Sequence, residues 1–209
     1  MSFTDSYLKE LLRRYRANFD ITENFKLGDK LYPAYAWFYS LSEKYVLKKE
    51  AKLWAIRAYE HVLFIEEDQL TQEKLLDLMD VITDYAEPEL VRKNDKYPEK
   101  DHMCSYITFV VLTSRDTDSQ TAKAIKKFNY DKGYLFNFRG HCEARLAAVS
   151  MESGQVITNR SGKDMKSLLE DAYIKTVDIV KTQTEAATDD SYEFVSWYIP
   201  YGEKRRRKV

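Results

Sequence analysis

Leu8, Leu11, Leu12 and Tyr15 fall at i, i+3, i+4 and i+7 within residues 4–18. That is the one-face pattern of an amphipathic helix, with Thr4 or Ser6 to cap it and Arg13, Arg14 and Arg16 near its negative end. From Tyr32 to Glu67 the period becomes two. Tyr35, Trp37 and Tyr39 alternate with Ala36, Phe38 and Ser40, and a second alternating run from Lys52 ends in the apolar residues 61–65. Two or three antiparallel strands are expected, joined near 42–44 or 48–50, with a helix over 50–57 as a rival.

Residues 71–86 predict a second helix, capped by Thr71 and carrying Leu75, Leu76, Leu78, Met79 and Ile82 on its apolar face. Glu87-Pro88 ends that pattern, and the polar stretch from Glu87 to His102 reads as a linker or long surface loop. Ile107 to Leu112 suits a buried strand. Asp116 to Asp118 offers a cap for a short helix marked by Ala122, Ile125 and Phe128. Two hairpins then follow. Tyr134 to Phe138 turns at residues 139–141 into Glu143 to Val149, which turns at 152–154 into Gln155 to Thr158. Asp164 to Lys181 is a helix, Thr182 to Asp190 a polar loop, and Tyr192 to Ile199 a strand stopped by Pro200. The order predicts one α+β domain over residues 1–200, a largely antiparallel sheet with helices packed on one face. Residues 201–209 form a basic tail.

Composition narrows the class. With 44% hydrophobic and 32% charged residues and only six Gly, the chain is neither disordered nor collagen-like. Sixteen tyrosines outnumber Phe and Trp together, which favours half-buried sheet surfaces over an all-helical bundle. No apolar run approaches the ~20 residues of a membrane helix. Cys104 and Cys142 are too few for a secreted disulfide framework, so a cytoplasmic location is expected. Net charge is −1, yet residues 203–208 carry +4 and leave −5 for the rest. A mildly acidic body argues against a dedicated nucleic-acid binder; Lys204, Arg205, Arg206, Arg207 and Lys208 offer at most a weak polyanion contact.

Chemistry is sparsely signalled. Gly-rich phosphate cradles, nucleophile elbows and H-E-x-x-H are all missing, and no cofactor is expected. His102 with Cys104, and His141 with Cys142, contain four of the five His and Cys residues, but neither pair has a structural zinc spacing. Asp131 and Glu143-Ala144-Arg145 could bring two carboxylates and a cation to one place. They faintly resemble the metal-dependent nuclease superfamily, whose motif is Asp then Glu-x-Lys on a helix–three strands–helix–strand core. Arg145 stands where Lys is usual and cannot serve as a base. Lys132-Gly133-Tyr134-Leu135-Phe136 partly matches an RNA-recognition strand, which would put Tyr134, Phe136 and Phe138 on one face; core packing is the simpler account.

The opening Y-L-K-E-L-L-R-R-Y (Tyr7 to Tyr15), D-H-M-C-S-Y-I-T (Asp101 to Thr108) and K-K-F-N-Y-D-K-G-Y-L-F-N-F-R-G (Lys126 to Gly140) resemble an uncharacterised prokaryotic domain-of-unknown-function family. The resemblance covers most of residues 1–180 and implies a compact domain without implying an activity. Two functions remain as expectations. One is a non-catalytic binding or interaction module with a protein or small-molecule partner. The other is a metal-dependent phosphodiesterase or nuclease using Asp131 and Glu143, with Arg145 beside them.

Overall fold

A computed structural model describes residues 2–45 and 52–195, with side chains over 2–40 and 57–185. The first helix, α1 (Phe3–Tyr15), starts ahead of both expected caps, with Ser2 as its N-cap. Ser2 accepts from the Asp5 N–H while Asp5 accepts from the Ser2 N–H, a reciprocal capping box. A meander follows: β1 (Asp20–Leu27), β2 (Lys30–Tyr45) and β3 (Lys52–Glu67), each antiparallel to the last. β1 escapes the hydrophobic pattern because nearly all its positions are at least partly exposed on the sheet edge. Residues 52–57 are strand, so the helical rival fails. The 42–44 connection fails too, since β2 continues to Tyr45; the alternative at 48–50 lies outside the described residues.

The sheet is mixed, not largely antiparallel. β4 (His102–Thr113) runs parallel to β3, and β6 (His141–Ser150) parallel to β4, because each return passes over helices, as a parallel connection requires. Those helices are α2 (Gln72–Val81) and α3 (Ser119–Lys127), the latter capped by Asp118. Short β5 (Asp131–Gly133) and β7 (Val156–Thr158) both pair with β6, and the order is β1-β2-β3-β4-β6-β5. Helices cover both faces, which corrects the one-face expectation. α2 and α3 pack over Leu63, Ile107, Phe109 and Leu146, while α1 and α4 (Lys166–Val195) pack over Val62, Phe64, Val110 and Val149. β4 is therefore buried on both sides, as its I-T-F-V-V-L run requires.

Three further segments depart from expectation. The helix does not stop at Glu87. It widens into a π-helix, Ile82–Val91, that carries Pro88, and Arg92 N–H closes a five-residue turn on the Glu87 carbonyl at 3.1 Å. The wider turn moves away the i−4 carbonyl that a proline ring would strike. Residues 134–139 are not a strand. Leu135, Phe136 and Asn137 all hold positive φ (49°, 54° and 67°), a left-handed turn closed by Phe138 N–H to Leu135 O and Arg139 N–H to Tyr134 O. Each such residue costs roughly 1–2 kcal/mol. Finally, α4 runs through the expected polar loop and on to Val195; residues 196–209, including the basic tail, lie outside the described residues.

A cleft lined with rings and two histidines

Near the start of β4, the α2 side of the sheet is incompletely covered. There a cleft of about 440 Å³ opens between the sheet and the end of the π-helix. Its floor comes from Tyr35 and Trp37 on β2, Tyr59 and His61 on β3, and His102 and Ser105 on β4; Glu89, Leu90, Lys93 and Glu99 form the opposite rim. The rings face one another across strands. Phe25 stacks on Tyr35 at 4.2 Å between centroids, Tyr35 on His61 at 6.2 Å and Tyr59 on His102 at 6.0 Å, all within 16° of parallel. With ring faces turned towards each other, what remains for the cleft is ring edges and their polar atoms.

Both histidines are buried and held neutral at pH 7. Burial pushes His61 down to about 4, helped by Lys93 and His102, and the Tyr35 hydroxyl meets its Nδ1 at 2.7 Å. Burial also lowers His102, with His141 assisting while the Arg139 carbonyl and Glu99 oppose it. The tautomer of His102 follows from its neighbours. The Arg139 carbonyl, 2.8 Å from Nδ1, can only accept, so Nδ1 carries the hydrogen and Nε2 a lone pair. Ser105 Oγ lies 2.8 Å from that Nε2 and donates to it.

His102 and Ser105 are three apart, a spacing that a regular strand sends to opposite faces. They share a face because Arg57 pairs with His102 but Ala58 with Cys104, leaving Met103 as a bulge. The left-handed turn supplies the Arg139 carbonyl, and Gly140 lets it approach. A Cβ on Gly140, whose φ is +74°, would strike the Met103 carbonyl oxygen and lie 2.8 Å from His102 Nδ1. The turn is anchored by Tyr134, whose hydroxyl donates to Glu87 at 2.7 Å. Burial works against the Glu87 carboxylate, but Arg92, Tyr134 and Lys132 outweigh it and hold the group below its ordinary range. At the rim Glu99 joins Lys93 and Arg57 and accepts from the Tyr59 hydroxyl; Lys93 first, then Arg57, hold its carboxyl low.

Of the candidates read from the sequence, His102 lines the cleft and the others sit elsewhere. Asp131 and Glu143 are cross-strand partners, as a shared site needs, and Glu143 accepts from Ser161. Arg145 turns away to Glu60 at 3.4 Å, its guanidinium 3.6 Å from the Tyr106 ring centre. Among the described residues no group of three or more His, Cys, Asp or Glu is placed to hold a metal ion. Cys104 and Cys142 are free thiols. Cys142 is buried in the core, Cys104 lies beside Tyr106, and burial raises both above the ordinary thiol range. The expected ring face of Tyr134, Phe136 and Phe138 does not form: Tyr134 is buried, while Phe136 and Phe138 stand 97% and 87% exposed. Tyr35, His61 and Ser105 were not among the sequence candidates. His61 in an otherwise apolar run was the one available signal; the His102–Ser105 pair needs the bulge.

A second cleft, about 490 Å³, lies at the other end of the sheet against Leu31, Tyr32, Glu66 and Lys74. It is larger, but its Lys74 is tied to Glu67, and among its described lining residues there is no histidine to serve as a base. The ring-lined cleft is the better site on chemistry.

A family model for a domain of unknown function (DUF8052) matches residues 4–171. The chain belongs to that family. The match includes every residue of the cleft and the left-handed turn. No curated protein and no solved structure matches the chain. Among the described residues no helix is long and apolar enough to cross a membrane.

Proposed function

We propose that this DUF8052 chain is a binding module that takes a small, ring-bearing ligand in the cleft between the β2–β4 floor and the π-helix. The observation that carries this reading is the cleft's composition: the rings of Tyr35, Trp37 and Tyr59 and two neutral imidazoles beside Leu90 and Val91, with Asp20, Glu89, Lys93 and Glu99 as its charged groups. Small-molecule sites have that makeup, apolar overall with a few convergent polar atoms to orient the ligand. Its volume suits a one- or two-ring molecule. The three histidines make a direct test. His61 and His102 line the cleft and His141 does not. With millimolar indole as the probe, the imidazole C–H signals of His61 and His102 are expected to shift in NMR spectra while His141 stays still. Equal responses from all three, or none, would defeat the reading.

A second reading has its own observation. Two nearly fully exposed phenylalanines on a hydrogen-bonded, left-handed turn, with Met103 half-exposed in the same part of the fold, offer a rigid apolar tip for a protein partner. The nuclease alternative draws support only from the Asp131–Glu143 pairing. Magnesium-dependent cleavage of a phosphodiester by the purified chain, lost in Glu143→Gln, would bring it forward.

A further inference from the structure

We propose that Ser105 is a nucleophile and His102 its base, making the cleft a site of acyl transfer from small carboxylic esters that carry an apolar, ring-sized group. The inference rests on the cleft being a ligand site and adds chemistry to it. Three parts of an activated nucleophile are present: a hydroxyl, a base accepting its hydrogen, and a third group fixing the base's tautomer. Here they are Ser105 Oγ, His102 Nε2 at 2.8 Å, and the Arg139 carbonyl at 2.8 Å from Nδ1. Both side chains line the cleft.

The fold invests in this arrangement from several directions. A bulge at Met103 brings His102 to the face of Ser105. A left-handed turn and a glycine at positive φ, where a Cβ would press on the Met103 carbonyl, bring the Arg139 carbonyl to the ring. A buried serine needing only a hydrogen-bond partner could use a nearby backbone carbonyl, with no bulge and no left-handed residues. Bulges and strained backbone gather where a side chain must be aimed.

In the reaction, Ser105 Oγ bonds to the ester carbonyl carbon as its proton passes to His102 Nε2. Collapse of the tetrahedral species breaks the bond to the alcohol oxygen, and the imidazolium returns the proton to that alcohol. The acyl group remains on Oγ. Water, deprotonated by the same Nε2, then releases the acid and restores Ser105, so ester and water give acid and alcohol. Arg139 and Gly140 are positioning residues, acting only through His102.

The test uses the full chain and a fluorophosphonate, which loses fluoride when a serine oxygen attacks phosphorus. Intact mass is expected to show a single adduct, and peptide mapping to place it on Ser105. Ser105→Ala should abolish labelling, and His102→Asn should slow it about 100-fold or more, the lower range of general-base contributions. The rate should also fall as the medium is acidified through the His102 pKa, below 6.5, because a protonated Nε2 accepts nothing. The titratable groups around that ring are Glu99, His61, His141, Tyr59 and Tyr134. Absence of an adduct on the unaltered chain, or an adduct mapped to another residue, would overturn the proposal even if a variant fails to fold. If indole still moves the His61 and His102 signals while no label appears, the acyl chemistry falls and the binding reading stands.

Discussion

Glu60 and His61 are consecutive on β3, so their side chains leave the sheet on opposite faces. On one side Glu60 accepts from the Thr108 hydroxyl at 2.8 Å and from Arg145 at 3.4 Å, and Arg145 lies across the Tyr106 ring. Charge there meets charge, although the buried Arg145 Nε keeps no hydrogen-bond partner of its own. On the other side His61 and His102 are buried without a counter-charge in contact and kept neutral; Tyr35 holds His61 Nδ1, the Arg139 carbonyl and Ser105 hold the two His102 nitrogens, and the cleft stays open beside them. A paired charge in a packed site stabilises or specifies. A neutral base beside an open cavity remains available for chemistry.

The largest effect expected from breaking this contrast comes from the closed face. Arg145→Met leaves Glu60, mostly buried, with only a hydroxyl partner. Removing one member of a buried pair strands the other's charge, so a loss of about 4 kcal/mol is expected in urea unfolding. Adding Glu60→Gln to that variant should recover much of it. A single-variant loss under 1 kcal/mol would mean that water reaches the pair, and the two faces would differ less than their contacts imply.

On the open face the next effect is one of pH. The folded pKa of His61, about 4, lies below the unfolded value near 6.5. Between those values the unfolded chain binds a proton that the folded chain refuses. Stability is thus fully present above pH 6.5 and declines as pH falls towards 4. The gap corresponds to about 3 kcal/mol. Urea midpoints compared with those of His61→Phe across that window isolate the contribution; parallel curves would show that His61 charges in place.

How much of this contrast can be read without coordinates depends on the residue. The I-T-F-V-V-L run of β4 is apolar at nearly every position, the mark of a strand covered on both sides, so helices on both faces were within reach. β1, with polar D-I-T-E-N-F-K-L on an edge, offers no alternation to find. Residues 134–138 alternate aromatic and other side chains as a strand does, and no glycine within them hints at positive φ. Residues 182–191 read T-Q-T-E-A-A-T-D-D-S, a sequence with no large apolar residue to signal that the helix continues. Asp131 precedes the hairpin that the sequence suggests over 134–149, yet β5 pairs it with Glu143, because residues 134–140 turn and the strand lies before them. Ser105 could not be paired with His102, because that contact depends on a one-residue bulge set by a neighbouring strand.

A smaller effect sharpens the role of the turn. Gly140→Ala and Gly154→Ala both place a Cβ at positive φ, +74° and +75°. Each is expected to cost about 2 kcal/mol, since strained backbone and a close contact combine. Their neighbours differ. At Gly140 the added carbon presses on the Met103 carbonyl and His102; at Gly154 it presses on the Tyr173 ring, away from the cleft. Only the first should move the His102 imidazole signal and slow fluorophosphonate labelling. Equal effects would detach the turn from the cleft.

The smallest expected change in stability is at the tip. Phe136 and Phe138 are so exposed that truncation removes almost no packing. Phe136→Ser with Phe138→Ser should therefore leave stability within about 0.5 kcal/mol of the parent. The backbone of the turn should survive as well, since its closing bonds, the Phe138 N–H to Leu135 carbonyl bond included, are all main-chain and use neither ring. With the fold and cleft intact, the imidazole signals and labelling rate should match the parent's. What should change is adhesion: retention on a phenyl-bearing column falls when two exposed rings are lost. Unchanged retention would show that these rings are shielded in solution, by self-association or by folding back. A marked loss of stability would mean that they pack against the body. Either outcome would remove the tip as a docking element and leave the cleft as the better-supported surface for recognition.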